Sequence, residues 1–339
     1  IVKNKSLLRR LIEACTEISD RAYSEEGSTE ELVGYAEAKI FDIVQGRDTK
    51  GFVHISQVLK SVHEHLHLLA TEPEATQGTK TGFSGIDGVL AGMGNSDLIL
   101  VGARPGMGKT SFCLNIATNV AKQTGKNVCI FSLEMSADQL VTRIISSEAL
   151  VDSYALRTGK LDPQQWMDIA TATTQLAGCN ILIDDTAGTT VTSMKAKLRR
   201  VQNLGLVVID YLQLMQGDRR NDNRVQEVAE ISRGLKLMAK ELNVPIICCS
   251  QLSRGPESRT DKRPMLSDLR ESGSIEQDAD TVIFLYRNEY YDKDTAQEEG
   301  NIAEVIIAKN RHGSQGTVKV GWNGRYTKFR SIDNDREES

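Results

Sequence analysis

Long apolar runs are missing from this chain of 339 residues. Nowhere do about 18 consecutive apolar residues occur, which excludes a membrane-spanning helix of ordinary length. The opening stretch IVKNKSLLRR lacks the apolar centre of a secretory signal, so a cytoplasmic protein is expected. The six cysteines (Cys15, Cys113, Cys129, Cys179, Cys248 and Cys249) show no C-x-x-C spacing, and they read as reduced core thiols rather than a zinc or redox site. His63, His65 and His67 share a helical stretch, but no cysteine or carboxylate cluster completes a metal site with them. Excess positive charge is absent too: a net charge of -5 argues against a protein that coats nucleic acid by sheer basicity, and leaves room for a local basic channel. Aromatics make up only 5% of the chain, so stacking of bases is not indicated.

What is present is the composition of a folded protein, 40% hydrophobic and 26% charged. The length suits one large domain with an appended segment. The chain opens on Ile1 directly within a helical pattern, from which a fragment of something longer is expected. Leu7, Leu8, Leu11, Ile12, Cys15 and Ile18 recur at helical spacing, and Val33, Ala36, Ile40 and Val44 do so again, which predicts a helical hairpin over residues 1–46. Ser28 and Glu31 form an S-x-x-E capping box at the start of its second helix. Residues 47–80 read as a linker carrying one amphipathic helix, with Ile55, Val58, Leu59, Val62, Leu66 and Leu69 on a single face. That face either docks on a neighbouring subunit or folds back on the main domain.

From residue 81 to 334 short apolar runs alternate with helical stretches, and 335–339 is a polar tail. The runs fall at Leu98 to Val101, Val128 to Leu133, Ile181 to Ile183, Leu206 to Ile209, Ile246 to Cys249 and Val282 to Leu285. The helical stretches include Ser111 to Lys122, Pro163 to Gln175 and Val225 to Leu242. The alternation predicts an α/β fold, a mostly parallel sheet covered on both faces. Ala303 to Ala308, Thr317 to Gly321 and Tyr326 to Arg330 follow one another without helices and predict an antiparallel edge extension.

Residues Ala103, Arg104, Pro105, Gly106, Met107, Gly108, Lys109 and Thr110, with Ser111 behind them, lie between a predicted strand and a predicted helix. A loop in that setting aims backbone amides at a phosphate, and the helix adds the positive end of its dipole. Gly106 and Gly108 supply permissive backbone, Lys109 reaches the β and γ phosphates, and the Thr110 hydroxyl is suited to ligate Mg2+. Ala103 stands where the usual pattern has its first glycine. ATP and Mg2+ are the expected cofactors.

Asp210 ends the run LVVID at the edge where ligands of parallel sheets collect, and is the candidate holder of the metal from its second coordination sphere. Glu134 ends the strand that follows the phosphate-loop helix and is the candidate general base for an attacking water; the alternative role is a charge favouring the next helix dipole. Gln251 follows a strand, where its amide is placed to sense the γ phosphate, or is simply a surface polar group. Leu252 to Arg270 reads as a long mobile basic loop, either a binder of phosphate backbone or a solvated segment.

The chain resembles the motor domain and linker of replicative DNA helicases of the DnaB type. The matching segments are ARPGMGKT (103–110), FSLEM (131–135), VVIDYLQLM (207–215), AEISRGLKLMAKELNVPI (229–246), SQLSR (250–254), DLRESGSIEQDADTV (268–282) and AKNRHG (308–313). The resemblance implies a RecA-like P-loop core preceded by the helical hairpin that ends the family's N-terminal domain. It implies a homohexameric ring on single-stranded DNA that travels 5′ to 3′ and unwinds duplex, with a loader and a primase as partners. By the same resemblance Lys109, Thr110, Glu134, Asp210 and Gln251 keep the roles above, and Arg143 is an arginine near the nucleotide. Lys309 and Arg311 are implied to reach the neighbouring subunit's γ phosphate. Arg270, Glu271 and Gly273 are implied to contact DNA, and the linker helix to pack on the adjacent subunit. A strand-exchange ATPase and a non-catalytic ring scaffold are the competing readings. The first is not expected to show SGSIEQDAD or the helical hairpin with its linker, and Glu134→Ala discriminates the second, which would bind ATP without turnover.

Overall fold

The computed structural model describes residues 2–24, 28–44, 53–71, 78–218, 223–269, 273–291 and 301–332. They divide into two compact units, 1–76 and 77–339.

In the first unit α1 (Val2–Tyr23) and α2 (Thr29–Val44) pack on each other, and α3 (Ile55–Thr71) follows. The Ser28 and Glu31 capping box forms in both directions: the Ser28 amide donates to Glu31 Oε2 at 2.9 Å and the Glu31 amide to Ser28 Oγ at 3.2 Å. These bonds satisfy amides that a helix start leaves without partners. Across the hairpin the Arg21 guanidinium lies 4.1 Å from the centre of the Tyr35 ring, and the Tyr35 hydroxyl donates to Glu17 at 2.9 Å. On α3 the side chains of Ile55, Val58, Leu59, Val62 and Leu66 are exposed.

The second unit is built on a nine-stranded sheet. In chain order it comprises α4 (Ser84–Leu90), β1 (Leu98–Ala103), α5 (Lys109–Thr124), β2 (Asn127–Ser132), α6 (Ala137–Ala149), α7 (Ser153–Thr158), α8 (Pro163–Ala177) and β3 (Ile181–Asp184). Next come α9 (Val191–Leu198), β4 (Leu204–Asp210), α10 (Arg224–Leu242), β5 (Ile246–Gln251), α11 (Gly273–Asp278), β6 (Thr281–Tyr286), β7 (Ile302–Asn310), β8 (Gly316–Asn323) and β9 (Lys328–Ser331). The spatial order is β3-β2-β4-β5-β1-β6-β7-β8-β9. Pairing is parallel from β3 through β6 and antiparallel from β6 through β9.

Strand periodicity explains why the parallel strands are continuous apolar runs. Successive side chains point to opposite faces, and here both faces are covered. Ile99, Val101, Leu206, Val208, Ile283 and Leu285 join Phe112 and Ile116 of α5 in one core. Leu98, Leu100, Val207, Ile209, Val282 and Phe284 join Met194 of α9, Leu235 of α10 and Ile275 of α11 in the other. Phe112 stacks on Phe83 at 5.4 Å and meets the edge of Phe329 at 5.4 Å, so the start of the unit, the phosphate-loop helix and β9 share one aromatic cluster. Each ring contributes about 2 to 3 kcal/mol through burial. The edge of the unit also closes on itself, since Thr79 and Met93 exchange backbone hydrogen bonds at 2.8 Å each.

The structure departs from the sequence reading in three places. The helices α4, α7, α9 and α11 were not anticipated, being too short to show a period; the signals of α7 and α9 are the caps Asp152 and Thr190, each accepting a helix amide. The last strand starts at Lys328 rather than Tyr326, because Thr327 takes a left-handed φ of 49° that ends the preceding turn. The segment after β5 is folded. Two 3-10 turns, Gly255–Ser258 and Leu266–Asp268, are held by an Arg259 to Asp268 ion pair, and Arg263 donates twice to Glu304 at 2.7 Å. Those two arginines are committed to carboxylates, which removes their share of the free positive charge the composition suggested.

A candidate nucleotide site at the sheet edge

The parallel register brings the carboxyl ends of the strands level: Ala103 pairs with Gln251, and Ser132 with Asp210. Beyond this edge lies a cleft of about 1000 Å³. Ala103, Arg104, Pro105, Gly106, Gly108, Lys109, Thr110 and Ser111 line it, with Glu134, Arg143 and Gln251. Of the expected nucleotide-site residues, Met107 and Asp210 alone are set behind the wall, at 1% and 4% exposure. Ala103 ends β1 in strand register with Gln251 and Leu285, a conformation an alanine accepts without strain.

The two loop glycines are required by their backbone. Gly106 has φ +81° and Gly108 φ +95°, and a Cβ on Gly108 would come within 3.0 Å of Phe329 and 3.3 Å of Trp322. Any other residue there is strained twice, by conformation and by contact. α5 starts at Lys109 with Gly108 as its N-cap and no side-chain cap, so its first amides face the cleft unpartnered by a capping group.

Below the loop, Thr110 Oγ1 donates to Asp210 Oδ2 at 2.6 Å and the Lys109 ammonium stands 3.6 Å from Asp210 Oδ1. That Oδ1 is buried with no hydrogen-bond partner. A buried carboxylate oxygen so placed, beside a threonine hydroxyl, suits a hard divalent cation with oxygen ligands. The Lys109 ammonium also lies 4.4 Å from the centre of the Tyr211 ring. Burial works against its charge, but the surrounding Cys249, Asp210, Cys113 and Glu134 outweigh it and raise its pKa above the ordinary lysine value. Lys109 therefore remains an ammonium at neutral pH.

Glu134 is placed by the turn that follows β2. Ser132 Oγ donates to Met135 O at 2.6 Å, and the Leu133 amide donates to Asp210 O at 2.8 Å, which leaves the Glu134 side chain exposed in the cleft. Gln251 is fixed through its backbone, whose amide donates to Gln213 Oε1 at 3.1 Å, while Gln213 Nε2 donates to Ser250 Oγ at 2.9 Å. Arg104 leaves the loop to donate from Nη1 to Leu252 O at 3.1 Å and from Nε to Glu257 Oε1 at 3.0 Å.

Lys309 and Arg311 stand elsewhere. Asn310 between them pairs with Thr281, the first residue of β6, so both lie at the amino edge of the parallel strands. Their separation from the loop in the same chain is about the length of a six-residue strand, roughly 17 Å. The Lys309 ammonium donates to Glu276 O at 2.6 Å and Ala279 O at 2.7 Å; burial, with Arg311 nearby, lowers its pKa. Gly273 opens α11, while Arg270 and Glu271 lie outside the described residues, as does the tail 335–339. Sequence reasoning gave no role to Tyr211, Trp322 or Thr327. The first sits at an apolar strand exit, and the others come from the edge hairpin, so only the folded sheet brings them to the cleft.

A glycine loop at a helix start, a half-buried lysine and threonine against a buried strand-end aspartate, and an exposed carboxylate across the cleft define a nucleoside triphosphatase of the P-loop class. The family described as "DnaB-like helicase C terminal domain" matches residues 78–331. The chain is 49% identical over 337 residues to the replicative DNA helicase DnaC of Bacillus subtilis, covering 98% of this chain and 74% of that protein. It is 48% identical over 343 residues to the replicative DNA helicase DnaB of Geobacillus stearothermophilus, covering 100% and 75%. Among solved structures, a DnaB-like replicative helicase, described with its interactions with primase, superposes with a TM-score of 0.83 at 34% identity, covering 98% of this chain and 78% of that one. A second, an isolated ATPase domain, gives 0.78 at 38% identity, covering 84% and 100%. The chain belongs to the DnaB family of replicative DNA helicases, enzymes that hydrolyse ATP.

Proposed function

We propose that the chain works as a homohexameric ring in the cytoplasm, moving 5′ to 3′ on single-stranded DNA, with each ATP held between two subunits. The observation that carries the intersubunit site is the placement of Lys309 and Arg311 at the strand edge opposite their own phosphate loop. A basic pair so placed serves a neighbour's nucleotide, not its own. The exposed apolar face of α3 supports the same assembly, since it offers an adjacent subunit a helix to cover. A primase and a loader are the expected further partners; one solved relative is described with its interactions with primase.

Within the site, the loop amides and Lys109 bind the β and γ phosphates and neutralise charge that grows on them. Thr110 and Asp210 would hold Mg2+, which on binding supplies Lewis-acid stabilisation of the phosphate oxygens. Glu134 accepts the proton of the attacking water as the bond to the γ phosphorus forms and the bond to the β-γ bridging oxygen breaks. Arg311 of one subunit stabilises charge on the next subunit's γ phosphate, a contribution of about 1000-fold or more in related phosphoryl transfers. Arg143 contacts the nucleotide, and Gln251 registers the γ phosphate. The segment of Arg270, Glu271 and Gly273 holds the DNA backbone, whose charge makes binding fall with salt.

Mixed rings test the reading. Arg311→Ala and Lys109→Ala subunits are each inactive alone, and mixing them restores ATP hydrolysis, because some interfaces then carry an intact loop and an intact arginine. Mixtures that stay as inactive as their parents would place the arginine in its own subunit's site.

A further inference from the structure

Asp280 joins α11 to β6 and is 1% exposed. Its carboxylate is fully engaged. Oδ2 accepts the Leu98 amide at 2.9 Å and the Lys236 ammonium at 2.5 Å, and Oδ1 accepts Arg311 Nη1 at 3.1 Å. The Asp280 carbonyl also accepts the Arg311 amide at 2.9 Å, and the Asp280 amide donates to Leu98 O at 2.9 Å. One acid therefore ties β1, α10, β6 and the end of β7 together. The other charged groups around it are already paired: His312 Nε2 lies 3.1 Å from Asp97 Oδ1, and Lys309 is held by the carbonyls that end α11.

A buried carboxylate needs a cation, and Lys236 supplies one. The second cation does something else. Arg311 is anchored at its amide and at both terminal nitrogens of its guanidinium, Nη1 on Asp280 Oδ1 and the more distant Nη2 on Gln277 O at 3.4 Å, yet its side chain is 51% exposed. A free arginine on a strand end samples many rotamers, whereas a planar fork so held aims its remaining donors in a set direction. We infer that Asp280 is a positioning residue for the trans reaction: it holds Arg311 in the orientation from which its outer edge meets the neighbouring subunit's triphosphate. This rests on the intersubunit reading above.

Asp280→Asn in the full chain tests it. The expected result is a kcat at least about tenfold lower, in line with the cost of a small misplacement of a reacting group, with the Kd for an ATP analogue unchanged. The same substitution in an Arg311→Lys background, which keeps a cation and a measurable kcat but loses the planar fork, lowers kcat little further, because the two act as a unit. Mixing Asp280→Asn with Lys109→Ala subunits restores hydrolysis, which a general loss of structure would not do. Wild-type kcat in folded Asp280→Asn rings, or additive losses in the double variant, would overturn the inference. If Arg311→Ala itself keeps wild-type kcat, the intersubunit reading falls instead. Should the single variant not fold, Lys236→Met with Asp280→Asn leaves no unpaired ammonium, and is compared with Lys236→Met alone by the same readouts.

Discussion

Arg104 in the phosphate loop and Glu257 in the turn after β5, 153 residues apart, face each other through both Nε and Nη2 of the guanidinium. The same guanidinium holds the carbonyls of Leu252 and Ser253 at 3.1 and 3.3 Å. The loop that binds phosphate is thus bolted to the chain leaving Gln251. Glu257 itself does not line the cleft.

Glu257→Gln should leave nucleotide binding and basal hydrolysis near wild type while weakening the stimulation of hydrolysis by single-stranded DNA by a few-fold. A partly exposed pair of this kind is worth up to about 1 kcal/mol, enough for that effect. The check is the ratio of turnover with and without DNA. An unchanged ratio would reduce the pair to a surface contact.

The cleft separates binding from hydrolysis. In the proposed mechanism Lys109, Thr110 and Asp210, which contact one another, hold the phosphate end, whereas Glu134 stands on another strand exit and makes no hydrogen bond to them. Glu134→Gln should therefore bind ATP with unchanged Kd and hydrolyse it about 100-fold or more slowly, as measured by single-turnover phosphate release. Retained hydrolysis would move the base elsewhere.

Stability in acid should depend on Glu241. Burial works against its charge, but hydrogen bonds from Lys195 and Arg199 outweigh that and hold its pKa below 4.5. A carboxyl depressed in the folded state stabilises it fully above the unfolded pKa and loses that contribution as pH falls through the folded value. The Tm gap between wild type and Glu241→Gln should be constant near pH 7 and close below about pH 4.5. Thermal melts across that range measure it; a gap that widened in acid would have the sign wrong.

The sequence made some of this visible for identifiable reasons. β1, β4, β5 and β6 read directly as strands because each is apolar on both sides, and the stretch up to Thr110 read as a phosphate loop because it fell between a predicted strand and a predicted helix. Asp280 was invisible as an organiser: the partners of its carboxylate lie 182, 44 and 31 residues away. Arg259 and Arg263 looked like free positive charge until folding set Asp268 and Glu304 against them. Trp322 reached the cleft only because an edge hairpin folds over Gly108. Local pattern carries elements and loops; contacts across the sheet have no local sign.

The phosphate loop and Arg311 occupy opposite ends of the same strands. Copies joined head to tail through such ends form a heterologous interface, the kind that closes into rings. Every subunit then listens on one side and speaks on the other. In the proposed ring, news that one nucleotide has been cleaved would have only one way round, and the circle would acquire a sense of rotation from the layout of a single chain.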